Sequence, residues 1–324
     1  MTGRPVRARP WALVLAVLLL LGGAAGYTLH AAQRADGDGG AGGARAALTL
    51  DGPGRRLFVR DTATGRVALV QGRTRTAGGP VCDRFHAAGG TALCLRRRPG
   101  VPARAYALVL DRELREVRRI ALPGIPSRAR VSASGRVLSW TMFATGDSYA
   151  GSAFSTRTSI LDLRTGYLVK NMEQIPLTLD GRRYHAPDVN YWGVTFAADD
   201  DRFYATVSTK GRTHLVEGRL RAWSARALRK NVECPSLSPD GRRLAFKKKV
   251  SDDPKAPWRL HVLDLGTGRE HPLADRRSVD DQALWLDDRT LAYGHAGEVW
   301  TSPADGSGAP RVLARGASSP AQPR

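Results

Sequence analysis

The residues able to do chemistry are dispersed in this sequence. His86, His185, His214, His261, His271 and His295 stand far apart, and none falls in an H-E-x-x-H or comparable metal-binding spacing. Aspartates cluster instead: Asp199, Asp200 and Asp201; Asp252 and Asp253; Asp280 and Asp281; Asp287 and Asp288. A calcium loop needs carboxylates on alternate residues before a glycine, so that one turn wraps the ion. Adjacent aspartates do not meet that rule, and two of these sets fall where a turn needs Asp for its own backbone. No G-x-S-x-G elbow is present to carry a serine nucleophile. Cys82, Cys94 and Cys234 are the only cysteines, and they form no C-x-x-C pair. This inventory favours a non-catalytic protein without metal or cofactor. A closed fold gathers distant residues at its axis, so a hydrolase or lyase with its site there is the alternative.

Any such gathering falls to short strands. From Leu48 onward, alternating apolar and polar residues run in short stretches separated by Gly, Asp and Pro turns, which is an all-β pattern. The clearest unit is CPSLSPDGRRLAFKK, Cys234 to Lys248: a strand, a Ser-Pro-Asp-Gly turn and a second strand. Pro239 presets φ, Asp240 bonds its own backbone and Gly241 accepts positive φ. WRLHVLDLGTGREHPLA then supplies a third and a fourth strand, completing a four-stranded unit. The same order recurs from Arg130, Val194 and Ala283, and more weakly from Cys82, while Arg55 to Val70 supplies only the outer half of a unit. One four-stranded sheet cannot bury both faces, but a ring of them can. The expected architecture is therefore a six-bladed β-propeller over residues 48–315. Either Leu48 to Asp51 or a strand from the C-terminal end completes the first blade, and residues 316–324 are expected to be a disordered tail. A pair of Ig-like sandwiches would not repeat this turn.

The segment PSLSPDGRRLAF resembles the repeat of TolB-type propellers, which also occurs in the propeller domains of the prolyl oligopeptidase and dipeptidyl peptidase IV group. The match is specific in this repeat, looser in three others, and covers most of the chain beyond Leu48. The arrangement is also similar to actinobacterial membrane-attached proteins described as TolB-like. The resemblance implies six blades and a binding or scaffolding role in the cell envelope. The small domain that precedes the propeller in TolB has no counterpart in this sequence, nor does a peptidase domain, so the translocation role of TolB is not carried over.

In a propeller, the innermost strands line the channel and the loops at their ends form a binding face. Alignment on Cys234 brings Asp83, Arg128, Gly193 and Asp281 to the start of those strands. The candidate binding residues are Asp83, Arg84, Arg128, Tyr191, Trp192, Glu233, Asp281 and Gln282. A competing role for Tyr191 and Trp192 is to pack between blades. Cys82 and Cys94 flank a Gly-Gly turn and are the candidate disulfide. Register sets Cys94 opposite Phe85, so the bond calls for a bulge between Ala87 and Gly90. Cys234 is then a free, buried thiol.

The address lies at the N-terminus. Residues 1–10 are a basic flank, with Arg4, Arg7 and Arg9, and Trp11 to Leu29 carries no charge. At ~1.5 Å per residue that stretch just spans a ~30 Å hydrocarbon core. The basic flank stays inside, which places the propeller outside the cytoplasm on a single-pass anchor. A cleaved signal peptide is the other reading of the same residues. Both lead to an oxidising compartment, and the Gly- and Ala-rich stretch 30–47 is a flexible tether. The formal charge of +20 suits a polyanionic partner. The Arg-for-Lys bias of a GC-rich genome accounts for it better. The expected partners are the membrane, through the N-terminal helix, and an envelope protein or wall polymer, with no role for nucleic acid.

Overall fold

The computed structural model describes residues 48–144 and 155–323. The apolar segment 11–29 and the tether 30–47 lie outside them, and among the described residues no helix is long and apolar enough to cross a membrane.

The described chain forms six sheets, each a blade of four antiparallel strands. Blade 2 runs from Arg84 to Leu122, blade 3 from Gly124 to Val169, blade 5 from Glu233 to Pro272 and blade 6 from Leu284 to Arg315. Blade 4, Asn190–Lys230, has four strands of its own. It also carries Leu177–Leu179 and Arg182–Tyr184, the first pairing in parallel with its outermost strand.

Blade 1 corrects the expected boundaries. Leu57–Asp61, Arg66–Gln71 and Thr74–Val81 are its outer three strands, and Ala317–Ala321 is its innermost. Residues 316–324 are thus not a free tail. Ala317 and Ala321 are fully buried, because small side chains fit the crowded axis and the pairing of Phe58 with Ala321 closes the ring. Leu48 and Leu50 do not complete the blade. They bury beside Phe58 and Phe85, and the Leu50 N–H donates to Arg112 O at 2.6 Å.

Turns that follow innermost strands also join blades 2 to 3, 3 to 4 and 5 to 6. The Ser134 hydroxyl donates to the Asp200 carboxylate at 2.7 Å, and the Asp240 N–H donates to Asp288 Oδ1 at 3.0 Å. A Cβ on Gly135 would lie 2.4 Å from Gly89 O, so the turns of blades 2 and 3 touch through bare backbone. Asp200, Asp240 and Asp288 therefore serve as turn-to-turn fasteners.

Cys82 and Cys94 are joined by a disulfide with their Cα atoms 5.4 Å apart. The expected bulge is absent: pairing runs without a shift from Arg84↔Leu95 to Ala88↔Thr91, with Phe85 opposite Cys94. Cys82 precedes the strand, in the crossover from blade 1, and meets Cys94 within the core cluster between the two blades.

Candidate functional site

The six innermost strands all begin on one face, called here the entry face. The joining turns and Leu48 lie on the other. Three innermost strands break register near their start, at Pro126/Arg128, Trp192/Thr195 and Glu233/Ser236. Such bulges re-aim side chains. Gly193 and Cys234 take φ of +62° and +48° there, and a Cβ on Gly193 would stand 2.6 Å from Cys234 Cα. Blades 4 and 5 can approach this closely only with glycine at 193.

Where these strands begin, blades 3, 4 and 5 enclose a cleft of about 530 Å³. Its apolar wall includes Ile125, Phe143, Trp192 and Trp258, and Ile125 is 41% exposed. Its floor is charged. Lys247 is 4% exposed, with Nζ 2.5 Å from Asp280 Oδ1 and 3.6 Å from Glu233 Oε2. Arg128 Nη2 lies 3.0 Å from the same Asp280 oxygen. The Lys247 ammonium also sits 4.3 Å from the centroid of the Trp258 ring. Burial raises the Glu233 carboxyl above its ordinary value, against the pull of Lys247. Asp280, although its side chain is largely exposed, is also partly desolvated by its neighbours, but there Lys247 and then Arg128 prevail and hold it low.

Behind the cleft, towards the axis, lies a smaller pocket of about 30 Å³ lined by Arg84, Arg128, Arg130, His86, Asp281 and Gln282. Gln282 Nε2 donates to Val194 O at 3.0 Å and Pro235 O at 2.8 Å, tying blade 6 to blades 4 and 5. Asp281 Oδ2 accepts from the Gly294 N–H at 2.7 Å. His86 Nδ1 accepts from the Val131 N–H at 3.1 Å, while Nε2 faces Arg130 Nη1, also at 3.1 Å. Burial, then Arg130, drives the His86 pKa well below its ordinary value, so the ring is neutral. Burial pushes Arg130 down to about 10.

The eight candidate residues separate into three groups. Arg128, Trp192 and Glu233 line the cleft. Arg84, Asp281 and Gln282, again with Arg128, line the axial pocket. Asp83 and Tyr191 belong to neither. The Asp83 carboxylate is held by the Arg97 N–H at 2.6 Å and its Nη2 at 2.8 Å. Tyr191 is fully buried in the core between blades 3 and 4, the packing role set against a binding one, because strand alternation sends it to the face opposite Trp192. Sequence reasoning did not single out Lys247, Trp258 or Arg130, and it weighed Asp280 only as one of an aspartate pair. Only the unusual placement of a Lys inside the apolar alternation LAFKKK could have flagged the first of these.

No family model matches the chain, and no curated protein matches it. Solved structures do. TolB from Acinetobacter baumannii superposes with a TM-score of 0.59 at 16% identity, over 84% of this chain and 67% of that one. The chain has a TolB-like propeller fold. The nidogen/laminin complex structure matches with a TM-score of 0.51 at 12% identity, over 83% of this chain and 98% of that one. A puromycin-hydrolyzing peptidase of Mycobacterium tuberculosis matches at 0.47 and 17% identity, over 85% and 47%. The likeness to TolB establishes the fold and, at 16% identity, leaves activity open.

Proposed function

We propose that this TolB-like propeller is a non-catalytic binding protein of the cell envelope, held outside a membrane by residues 11–29. Its entry-face cleft then receives an extended segment of a protein partner. The observation that carries the reading is the cleft: partly exposed apolar side chains stand over charges already engaged with one another. Apolar and aromatic lining with a few fixed polar groups is what a binding site offers. A general acid or base needs a group free to exchange its proton with substrate. Here Asp280 is shared by Arg128 and Lys247.

The test is photo-crosslinking from membranes, with the crosslinker at Phe143 in the cleft and, as control, at the exposed Leu313 of blade 6. Capture of one protein from Phe143 alone, lost in Trp258→Ala, is expected. Equal capture from both positions, or capture indifferent to Trp258→Ala, refutes the placement. One feature favours a second reading. Glu233, its carboxyl raised by burial in the cleft, has the character of a general acid. Hydrolase or lyase turnover that disappears in Glu233→Gln would replace the binding reading.

A further inference from the structure

The axial pocket has more cationic donors than its carboxylates engage. Arg84 lines it, where burial and then the repulsion of Arg128 outweigh the attraction of Asp281 and Asp280 and lower its pKa. Arg130 is 8% exposed, and its buried Nε has no partner; nor has Nε of Arg128. Of the acids nearby, Asp280 is held by Arg128 and Lys247, which leaves Asp281, itself bonded by the Gly294 N–H, as the carboxylate that attracts Arg84, Arg128 and Arg130 together. Arg84, Arg128 and Arg130 thus all line a space of about 30 Å³. Three arginines then share one carboxylate that no other side chain neutralises, and like charges brought together out of water are costly. A space of that size holds one or two water-sized atoms, which admits a single small anion and excludes a polyanion.

We propose that this pocket is an anion seat in which Arg84, backed by Arg128 and Arg130, binds one small monoanion of the carboxylate type. The planar fork of Arg84 matches the two oxygens of a carboxylate. Arg128 lines both the pocket and the cleft, so the carboxylate has two possible sources. It is a free ion, or it is carried by the segment lying in the cleft. The seat itself does not depend on the cleft having a partner.

The experiment is thermal unfolding of the full chain in HEPES, with sodium acetate replacing sodium HEPES at constant ionic strength. If 100 mM acetate is about ten times its Kd, Tm rises by about 3 °C. Arg84→Gln is expected to lose this response and, in HEPES alone, to melt close to wild type, since it removes the repulsion from Arg128 together with the attraction to Asp281. Arg84→Lys keeps the charge without the fork and is expected to respond less than wild type. No response in wild type, an equal response in Arg84→Gln, or a full response in Arg84→Lys overturns the proposal. The source is read separately, by adding acetate to the Phe143 crosslinking reaction. Capture suppressed by acetate assigns the carboxylate to the partner, and capture unchanged while Tm rises assigns it to a free ion. Failure to capture any partner removes the cleft reading and leaves the acetate result standing.

Discussion

Lys247→Met is the most informative single change, because it removes the cation that Glu233 and Asp280 share. The two carboxylates respond differently. Asp280 has a side chain 65% exposed, so solvent screens its loss to within about 1 kcal/mol. Glu233 is 7% exposed and would be left as an uncompensated buried charge. Removing one partner of a buried pair costs about 3–5 kcal/mol. Methionine refills most of the lysine stem, so a net loss of about 3 kcal/mol at pH 7 is expected. For a domain of this size that lowers Tm by roughly 6–12 °C. The loss depends on pH in a defined direction. Burial already raises the Glu233 carboxyl, and without Lys247 it rises further. A carboxyl raised in the folded state costs nothing where it is protonated in both states, and costs progressively more as pH rises through the folded value. The deficit of Lys247→Met measured by urea unfolding should therefore shrink between pH 7 and pH 5. Adding Glu233→Gln should restore all but about 1 kcal/mol at pH 7, since the amide has no charge to strand. A deficit independent of pH, or a double variant as unstable as Lys247→Met alone, would refute this account of the cleft floor.

Three further outcomes follow from the packing. Replacing both Cys82 and Cys94 by Ser should cost about 3 kcal/mol in urea unfolding, and reductant should bring wild type to the same midpoint. Deleting residues 317–324 removes the innermost strand of blade 1 and bares the edge of Leu57–Asp61; loss of a cooperative melt by circular dichroism is expected, and retention of one would show that the ring closes without it. Gly193→Ala adds a Cβ 2.6 Å from Cys234 Cα at a φ of +62°, so a loss of at least about 1–3 kcal/mol is expected, with weaker crosslinking at Phe143 as blades 4 and 5 part.

Much of the architecture was legible because propeller blades are local. Each hairpin forms between residues close in sequence, so alternation and the Ser-Pro-Asp-Gly turn carried its signal, as in Cys234 to Lys248. The same locality showed the disulfide pair but misjudged how it closes. The hairpin register was right, while the position of Cys82 in the crossover between blades was not visible in one hairpin. The tail 316–324 was misread for a related reason. Its Ser, Pro and Gln content suggests a free end, and only closure of the ring provides the partner, Phe58 through Asp61, that makes it a strand.

The candidate site divides along the same line. The start of each innermost strand could be aligned by repeat, which brought Arg84, Arg128, Trp192, Glu233, Asp281 and Gln282 to the entry face. Alternation then separates Trp192 from Tyr191, and that follows from the pleat once the register is known. The pairing of Lys247 with Asp280 spans 33 positions and joins two blades, so no local pattern encodes it. The sequence by itself determined that there are blades, where their turns fall, and which residue types reach the axis. Tertiary structure alone decided which of those charges neutralise one another, which crowd together at Arg84, and which wall is left for a partner, because these depend on the spacing that ring closure imposes between blades.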